Sequence, residues 1–319
     1  MRFIDKETVE THLTMEVCVG LMRTTLIRYS KKEADQMLRT AMRIDDSRIL
    51  GIMPAVDHEQ EIAGAKIITI IPENFQKNLP SHQGVVVLFE TGTGRLLAVV
   101  DGEAVTGVRT AAVSAAATDA LARSDAHVLC VLGSGLQARR HLEAIRLVRD
   151  IHEVRVWDID RESAARYAKD MQDLHGVPVL DYSENVSSAV TGADIICTVT
   201  AAKKPVLFGK HVLPGAHINA VGACSPRDRE LDTELVKRSR LFCDSAESAT
   251  NESGDLLIPL QEGSITGEHL LGEIGQVLAG ELKGRTDDAD ITVFESLGLA
   301  VEDIAASYYL INQIDNVNT

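Results

Sequence analysis

From about residue 125 onward, short runs of apolar and β-branched residues alternate with stretches of helical spacing. The runs lie at 127–133, 153–158, 177–181, 193–200, 217–222 and 240–244. Between them, segments 136–148 and 161–174 repeat apolar residues every three or four positions, as amphipathic helices do. Continuous apolar strands separated by helices are typical of a parallel sheet that is covered on both faces. The pattern predicts an α/β protein with a Rossmann-type doubly wound parallel sheet.

The chain before residue 101 has a different pattern. Helical stretches come first, and apolar runs follow at 65–71, 84–90 and 95–101. The last two runs flank Thr91-Gly-Thr-Gly, a turn sequence that favours a hairpin. Segment 296–314 predicts a long amphipathic helix at the C-terminus. We therefore predict an α+β domain formed by residues 1–122 with 294–319, and a Rossmann domain formed by residues 123–293.

Composition narrows the class of protein. The chain has 319 residues, of which 45% are hydrophobic and 25% charged, as in folded globular domains. Asp and Glu total 47 against 32 Lys and Arg, and the resulting net charge of −15 disfavours nucleic-acid or anionic-membrane partners. The charged start of the sequence lacks the apolar core of a signal peptide, so we expect none there, and no apolar run is long enough to cross a bilayer. Five singly scattered cysteines favour a reducing cytoplasm over a disulfide framework or a zinc site.

The first strand of the predicted Rossmann domain ends in Gly133-Ser-Gly135-Leu-Gln-Ala138. Glycines at these positions allow a tight turn and let backbone N–H groups approach a pyrophosphate at a helix N-terminus. Asp158 lies at the end of the second strand, where a carboxylate can bind the ribose hydroxyls and would repel a 2′-phosphate. The alternative role for Asp158 is that of an ordinary turn or capping residue. NAD(H) is therefore favoured, and Arg161 keeps NADP(H) as an alternative.

Other catalytic signatures are absent from the sequence. It contains no phosphate-binding P-loop, no nucleophile elbow and no metalloprotease motif, and its histidines lack metal-ligand spacing. We expect no bound metal. Hydride transfer is the leading class of chemistry.

Five segments in the same order, 79–90, 100–115, 133–138, 217–232 and 293–303, resemble the ornithine cyclodeaminase/μ-crystallin family. The similarity spans nearly the whole chain and is greatest to the ketimine-reducing, μ-crystallin-like branch. It implies that the Rossmann domain is joined to a substrate-binding and dimerisation domain, that the protein is a homodimer, and that its substrate is a small carboxylated imine or amino acid.

The resemblance also implies site residues. Arg39, Lys66 and Arg109 match the positions that hold the substrate carboxylate, and arginine and lysine suit that task as bidentate and point cations. Lys66 also interrupts an apolar run, where a charge is costly unless it is used. The positions that match cofactor contacts are His82, Thr110, Gly133, Gly135, Leu136, Gln137, Asp158, Thr200, Val221 and Ser296. The alternative for His82 is a purely structural role.

Two departures from the family pattern bear on the reaction. Cyclodeaminases carry an Asp where this chain has Cys224, and a Glu where it has Gly51. Without those carboxylates, we expect an NAD(P)H-dependent reductase of ketimine or imino-acid C=N bonds next to a carboxylate, which gives an L-amino acid and in reverse is an amino-acid dehydrogenase. The alternatives are an ornithine-type cyclodeaminase and a non-catalytic protein that binds NAD(P) and a small ligand.

Overall fold

The computed structural model describes residues 2–77 and 79–317. The strands are β1 (Arg2–Ile4), β2 (Ala34–Gln36), β3 (Thr40–Arg43), β4 (Ile49–Asp57), β5 (Ile62–Ile70), β6 (His82–Glu90), β7 (Leu96–Asp101), β8 (Val128–Leu132), β9 (Glu153–Trp157), β10 (Val179–Asp181), β11 (Ile195–Thr198), β12 (His217–Ala220), β13 (Ser239–Cys243), β14 (Leu270–Glu273) and β15 (Ile291–Glu295). The helices are α1 (Lys6–His12), α2 (Met15–Ser30), α3 (Gly102–Leu121), α4 (Leu136–Ile145), α5 (Arg161–His175), α6 (Val186–Val190), α7 (Thr233–Arg238), α8 (Ala246–Glu252), α9 (Gly254–Gln261), α10 (Ile274–Leu278) and α11 (Ala300–Val317). Within these described ranges, no helix is long and apolar enough to cross a membrane.

The chain divides into two compact units. The first unit contains the residues up to 110 together with those from 298 onward, and the second contains residues 111–297. The sequence analysis places these boundaries after residues 122 and 293 instead. The first boundary differs because α3 runs on to Leu121 and its second half is built into the second unit, where the Asn219 amide donates a hydrogen bond to Thr118 (2.9 Å).

The second unit is built on an eight-stranded, all-parallel sheet in the order β10-β9-β8-β11-β12-β15-β13-β14. Every residue of β11 and β12 is buried, as expected for strands covered on both faces. The strand order reverses between β8 and β11, which is the switch point at which doubly wound sheets bind ligands. The predicted α/β class and Rossmann-type sheet are confirmed.

The first unit is built on a seven-stranded sheet in the order β1-β7-β6-β5-β4-β2, with β3 also paired to β4. Its pairings are antiparallel except that β1 runs parallel to β7. The predicted hairpin is present as β6 and β7. Helix α11 packs against β4, β5 and β6, and it also contacts α2. It begins at Ala300 rather than at the predicted residue 296, because Gly298 has a φ of +80°, which does not continue a helix.

Candidate functional site

The first unit contains a buried cluster of opposite charges. Lys66 and Arg109 are each 3% exposed, and Glu302 and Asp303 are fully buried. Asp303 pairs with both cations: Lys66 Nζ forms an ion pair with its Oδ2 at 2.8 Å, and Arg109 Nε donates a hydrogen bond to its Oδ1 at 3.0 Å. Glu302 Oε2 accepts a hydrogen bond from Arg109 Nη1 at 2.7 Å. Each buried charge therefore has an opposite partner, as burial requires.

Three elements bring these charges together. Lys66 pairs with Met53 and Val86 in neighbouring strands, so the lysine points to the face of the sheet on which α11 packs. Arg109 lies two turns into α3, a helix whose first turn is capped by the Asp101 carboxylate (2.8 Å to the Ala104 N–H). The two acids occupy the first turn of α11, where the helix dipole favours negative charge.

The entry into α11 is shaped around Arg109 and Arg39. A Cβ at Gly298 would lie 2.9 Å from Arg109 Nη1, so the guanidinium occupies the space that any other residue would fill. The Gly298 carbonyl accepts a hydrogen bond from Arg39 Nη2 at 3.4 Å. Glu302 Oε2 also accepts from the Leu299 N–H at 3.1 Å, which joins the start of the helix to the charge cluster.

Three cations lie close together at this site. Burial lowers the pKa of Lys66 to about 8, because desolvation outweighs the opposing pull of Asp303, and the charges of Arg109 and Arg39 lower it further. Guanidinium and ammonium groups in this arrangement suit a ligand with a carboxylate, and Lys66 would hold an exchangeable proton close to neutral pH.

The second unit contains the glycine turn between β8 and α4. Gly133 has a φ of +109°, and a Cβ there would lie 2.8 Å from the Val199 carbonyl oxygen, so the turn requires glycine. Gly135 is the N-cap of α4, and the space at its Cβ position is open to 4 Å. The ten-residue helix α4 therefore presents its positive N-terminal end beside open space, which suits a phosphate group.

Strand register brings most of the predicted cofactor residues to one edge of the parallel sheet. The last residues of five neighbouring strands, Trp157, Leu132, Thr198, Ala220 and Glu295, lie in one paired row. The residues that follow four of these strands are Asp158, Gly133, Val221 and Ser296, and Thr200 is two residues beyond the fifth. They therefore share the carboxyl edge of the sheet, where doubly wound folds bind their ligands.

Two side chains at this edge fit a dinucleotide. Asp158 is half-buried; its Oδ2 accepts a hydrogen bond from Ser134 Oγ at 2.7 Å, and its Oδ1 accepts one from the Asp160 N–H at 2.9 Å. The carboxylate is thereby fixed beside the glycine turn. Ser296 is 3% exposed, and its hydroxyl has no hydrogen-bond partner among the described residues. A buried hydroxyl in that state suits a polar group of a bound ligand.

The other predicted cofactor residues divide between the two units. Leu136 is exposed and Gln137 half-buried in the first turn of α4, in the second unit. Thr110 and His82 belong to the first unit. Thr110 is buried and donates its hydroxyl to the Thr106 carbonyl at 2.8 Å. Partial desolvation, followed by the charge of Lys66, lowers the pKa of His82, so its imidazole is predominantly neutral at pH 7.

Glu230 is a structural centre of the second unit that the sequence analysis does not identify. It is fully buried, and burial raises its pKa even though it accepts four hydrogen bonds. The donors are the Thr198 hydroxyl (2.8 Å), the Thr200 hydroxyl (2.6 Å) and N–H (2.7 Å), and the Gly222 N–H (2.7 Å). Glu230 therefore fixes the loops that follow β11 and β12. The Thr200 hydroxyl donates its hydrogen to Glu230, so that hydrogen is not available to another acceptor.

The sequence analysis also misses Glu302 and Asp303. Segment 293–303 contains both, but within it they resemble the polar side of an ordinary amphipathic helix. A usable signal is their position: two adjacent acids follow the apolar segment 297–301 at the start of a helix, where one face must be buried. Buried carboxylates require cations, and Lys66 in an apolar strand is the matching signal.

The two positions at which cyclodeaminases carry carboxylates contain other groups here. Gly51 pairs with Ile68 in β5 and lies on the same face of the sheet as Lys66, and a Cβ there would lie 3.2 Å from Ile68 Cγ2. Cys224 is half-buried, with its Sγ 3.6 Å from the carbonyl oxygens of Val221 and Leu297. Neither position offers a carboxylate for acid–base chemistry.

A Rossmann-type sheet with a glycine turn at its switch point, together with a buried cationic cluster in the first unit, defines an NAD-binding α/β protein of the oxidoreductase class. The family model for the ornithine cyclodeaminase/mu-crystallin family matches residues 2–318, and this chain belongs to that family.

Comparisons with characterised proteins agree with the family. The chain is 40% identical over 310 residues to the ketimine reductase mu-crystallin of Mus musculus, covering 96% of this chain and 95% of the relative. The structure of Thermococcus litoralis Delta(1)-pyrroline-2-carboxylate reductase in complex with NADH and L-proline superimposes with a TM-score of 0.96 at 32% identity, covering 100% and 99% of the two chains. An archaeal alanine dehydrogenase dimer with bound NAD superimposes with a TM-score of 0.94 at 30% identity, covering 100% and 97%.

Proposed function

We propose that this protein is an NAD(P)H-dependent reductase of C=N bonds that lie next to a carboxylate, and that its product is an L-amino acid. The observation that carries the proposal is the buried cluster of Lys66, Arg109, Glu302 and Asp303, with Arg39 beside it at the Gly298 carbonyl. Ketimine and pyrroline-carboxylate reductases among the relatives act on substrates of this chemistry. In reverse, the reaction is that of an amino-acid dehydrogenase.

Arg39 and Arg109 hold the substrate carboxylate in this proposal. Arg109 is held in place by two acids, and Arg39 is half-buried beside Gly298. A guanidinium binds a carboxylate through two parallel hydrogen bonds, which fixes the plane of the substrate and the direction of its C=N bond.

Lys66 supplies or stabilises the proton on the imine nitrogen. An iminium is a better electrophile than a neutral imine, so a proton donor with a pKa close to the working pH helps the reaction. The pKa of Lys66, about 8, meets that requirement, and Asp303 holds Nζ in place at 2.8 Å.

The residues at the carboxyl edge of the second unit hold the dinucleotide. Gly133 and Gly135 leave room for the pyrophosphate, Asp158 binds the ribose hydroxyls, and the buried Ser296 hydroxyl binds a polar group of the nicotinamide end. Leu136, Gln137, Thr200 and Val221 complete this contact set, with Thr110 and His82 assigned to it from the first unit. When bound, the reduced nicotinamide supplies the hydride for the imine carbon. Asp158 favours NAD(H) over NADP(H), because its charge repels a 2′-phosphate.

The experiment is a spectrophotometric titration of NADH with a cyclic ketimine carboxylate such as Delta(1)-pyrroline-2-carboxylate. We expect one NADH oxidised per ketimine reduced, and no ammonia from ornithine. Arg39→Ala should lower kcat/KM by a factor that corresponds to about 2–5 kcal/mol of transition-state stabilisation, while the affinity for NADH stays the same. The matched control is Arg95→Ala, which removes an exposed arginine elsewhere in the first unit. Normal turnover by Arg39→Ala would disprove the assigned carboxylate site.

The proposal extends to a homodimer, formed through the open face of the sheet in the first unit. That face is apolar: Ile52, Ile67 and Val85 pair directly across β4, β5 and β6, and Pro54, Ala65 and Val87 form the next row. Ile52 and Ile67 are 40% and 36% exposed, and Phe89, also on β6, is 38% exposed. Contiguous apolar patches of this kind mark protein interfaces, and the related alanine dehydrogenase is a dimer.

Ile67→Lys should convert the dimer to a monomer in analytical ultracentrifugation. Leu174→Lys is the control, because Leu174 is a 70% exposed apolar residue on α5, away from this face. A dimer that survives Ile67→Lys, or a monomeric wild type, would disprove the interface. The five cysteines are free thiols, which is consistent with the further proposal of a cytoplasmic location.

A further inference from the structure

A cluster of two histidines and an aspartate lies at the amino edge of the parallel sheet. His127 directly precedes β8 and His152 directly precedes β9, and these neighbouring strands pair from Val128 and Glu153 onward. The backbone N–H of His152 donates to the His127 carbonyl at 2.9 Å, which fixes the two residues side by side. Asp150 completes the group. The sequence analysis finds no metal-ligand spacing here because parallel pairing joins residues that are distant in the chain.

The geometry of the cluster is that of a ligand set. The two imidazoles stack with ring centroids 4.3 Å apart and an interplanar angle of 5°. His127 Nδ1 lies 2.7 Å from the Asp150 carbonyl oxygen, which can only accept, so Nδ1 carries the hydrogen and Nε2 presents its lone pair. His152 Nε2 lies 3.0 Å from Asp150 Oδ2. One ligand atom from each residue lies within 4.8 Å of the others.

We propose that His127, Asp150 and His152 bind a divalent transition-metal ion such as Zn²⁺. Two imidazoles and a carboxylate suit Zn²⁺, Ni²⁺ or Cu²⁺ and disfavour the harder Mg²⁺ and Ca²⁺. The ion takes the place of the hydrogen between His152 Nε2 and Asp150 Oδ2, and the neutral imidazole then carries its hydrogen on Nδ1. The hydrogen bond from His127 Nδ1 to a carbonyl fixes the tautomer, as it does for metal-bound histidines in general.

Exposure makes the site accessible. The side chains of His152 and Asp150 are 62% and 84% exposed, so they can move from the stacked arrangement to converge with His127 Nε2 on one ion at about 2.0–2.1 Å. Water fills the remaining coordination positions. The glycine turn lies at the opposite end of β8, so the ion stabilises the second unit and takes no part in reduction. This inference does not depend on the proposed function.

The test is calorimetric titration of untagged protein with Zn²⁺, together with electron paramagnetic resonance of the Cu²⁺ form. We expect one site per chain, a rise in Tm on adding Zn²⁺, and Cu²⁺ hyperfine structure from two nitrogens. His152→Ala, and separately Asp150→Asn, should weaken binding at least about tenfold. The control is His58→Ala, because His58 is an exposed histidine in the first unit that contacts a single carboxylate, Asp35, at 2.9 Å.

Two results would overturn the site. One is the absence of saturable Zn²⁺ binding by the wild-type protein. The other is binding that His152→Ala and Asp150→Asn leave unchanged, which would place the ion elsewhere. Because these side chains are exposed, the variants should fold as the wild type does, and circular dichroism verifies this before the titrations.

Discussion

Asp303→Asn should move the pH dependence of ketimine reduction to lower pH. Asp303 forms an ion pair with Lys66 Nζ (2.8 Å) and accepts a hydrogen bond from Arg109 Nε (3.0 Å), and its charge raises the pKa of the lysine against the effect of burial. Asparagine keeps the shape of the side chain and removes the charge. Without it, desolvation and the charges of Arg109 and Arg39 act on Lys66 unopposed by this carboxylate.

The size of the shift follows from the charge that is removed. An opposite charge within about 4–6 Å shifts the pKa of a neighbouring group by about 1–3 units. The pKa of Lys66, about 8 in the wild type, should therefore fall by about one to three units. If Lys66 must be protonated, wild-type kcat/KM falls as pH rises through about 8, and in Asp303→Asn it falls at correspondingly lower pH.

The assay is kcat/KM for the ketimine measured across pH with saturating NADH, since this parameter reports groups on the enzyme–NADH complex and on the free ketimine. Glu302→Gln is the matched control, because Glu302 binds Arg109 Nη1 at 2.7 Å and makes no ion pair with Lys66. It should raise KM and leave the basic limb where it is. The substrate imine titrates identically in all three proteins, so only the difference between them counts. A basic limb that stays in place in Asp303→Asn, or moves equally in Glu302→Gln, would refute the role of Asp303.

Three further predictions concern other residues. Wild-type protein should have a higher kcat/KM with NADH than with NADPH, and Asp158→Ala should reduce this preference, because the charge that repels a 2′-phosphate is removed. A wild-type preference for NADPH in steady-state kinetics would contradict the role of Asp158. Gly298→Ala should raise KM for the ketimine at least about tenfold, because φ at this position is +80° and the new Cβ displaces Arg109 Nη1. NADH affinity, measured by fluorescence titration, should not change, and an unchanged KM would contradict the placement of Arg109 at the substrate carboxylate. Burial and the nearby charge of Asp255 raise the pKa of Glu295 well above its usual range, so the folded state binds the proton more tightly than the unfolded state and loses stability as pH rises above the unfolded-state pKa of about 4. The Tm of Glu295→Gln should therefore fall less than that of the wild type as pH rises above about 4, and parallel Tm curves would exclude this.

Local pattern predicted the second unit well. Apolar runs with β-branched residues predicted β8, β9, β11 and β12, because strands of a sheet that is covered on both faces carry apolar side chains at most positions. The glycine turn was equally predictable, since the conformation at Gly133 excludes a side chain. Run ends were overestimated by one or two residues, as at β11, which stops at Thr198 where the loop fixed by Glu230 begins.

Contacts between distant parts of the chain could not be predicted in the same way. Asp303 meets Lys66 only because α11 returns to pack on β5, and nothing in either local sequence encodes that pairing. His127 and His152 are brought together by parallel strand pairing. Glu230 lies on a third loop and accepts hydrogen bonds from the loops that follow β11 and β12. In each case the missing information was which elements become neighbours. The family resemblance predicted Arg39, Lys66 and Arg109 as site residues. The acidic partners of Lys66 and Arg109 could be identified only from the structure.

The most direct test of the central claim follows an isotope from cofactor to product. Protein is incubated with NADH deuterated at the transferring position and with Delta(1)-pyrroline-2-carboxylate, and the amino acid formed is analysed by mass spectrometry and chiral chromatography. Reduction of a C=N bond next to a carboxylate predicts one deuterium on the α-carbon of L-proline for each NADH consumed, and no release of ammonia. Unlabelled product, no net loss of NADH, or ammonia and proline formed from ornithine with NAD only in catalytic amount would contradict it.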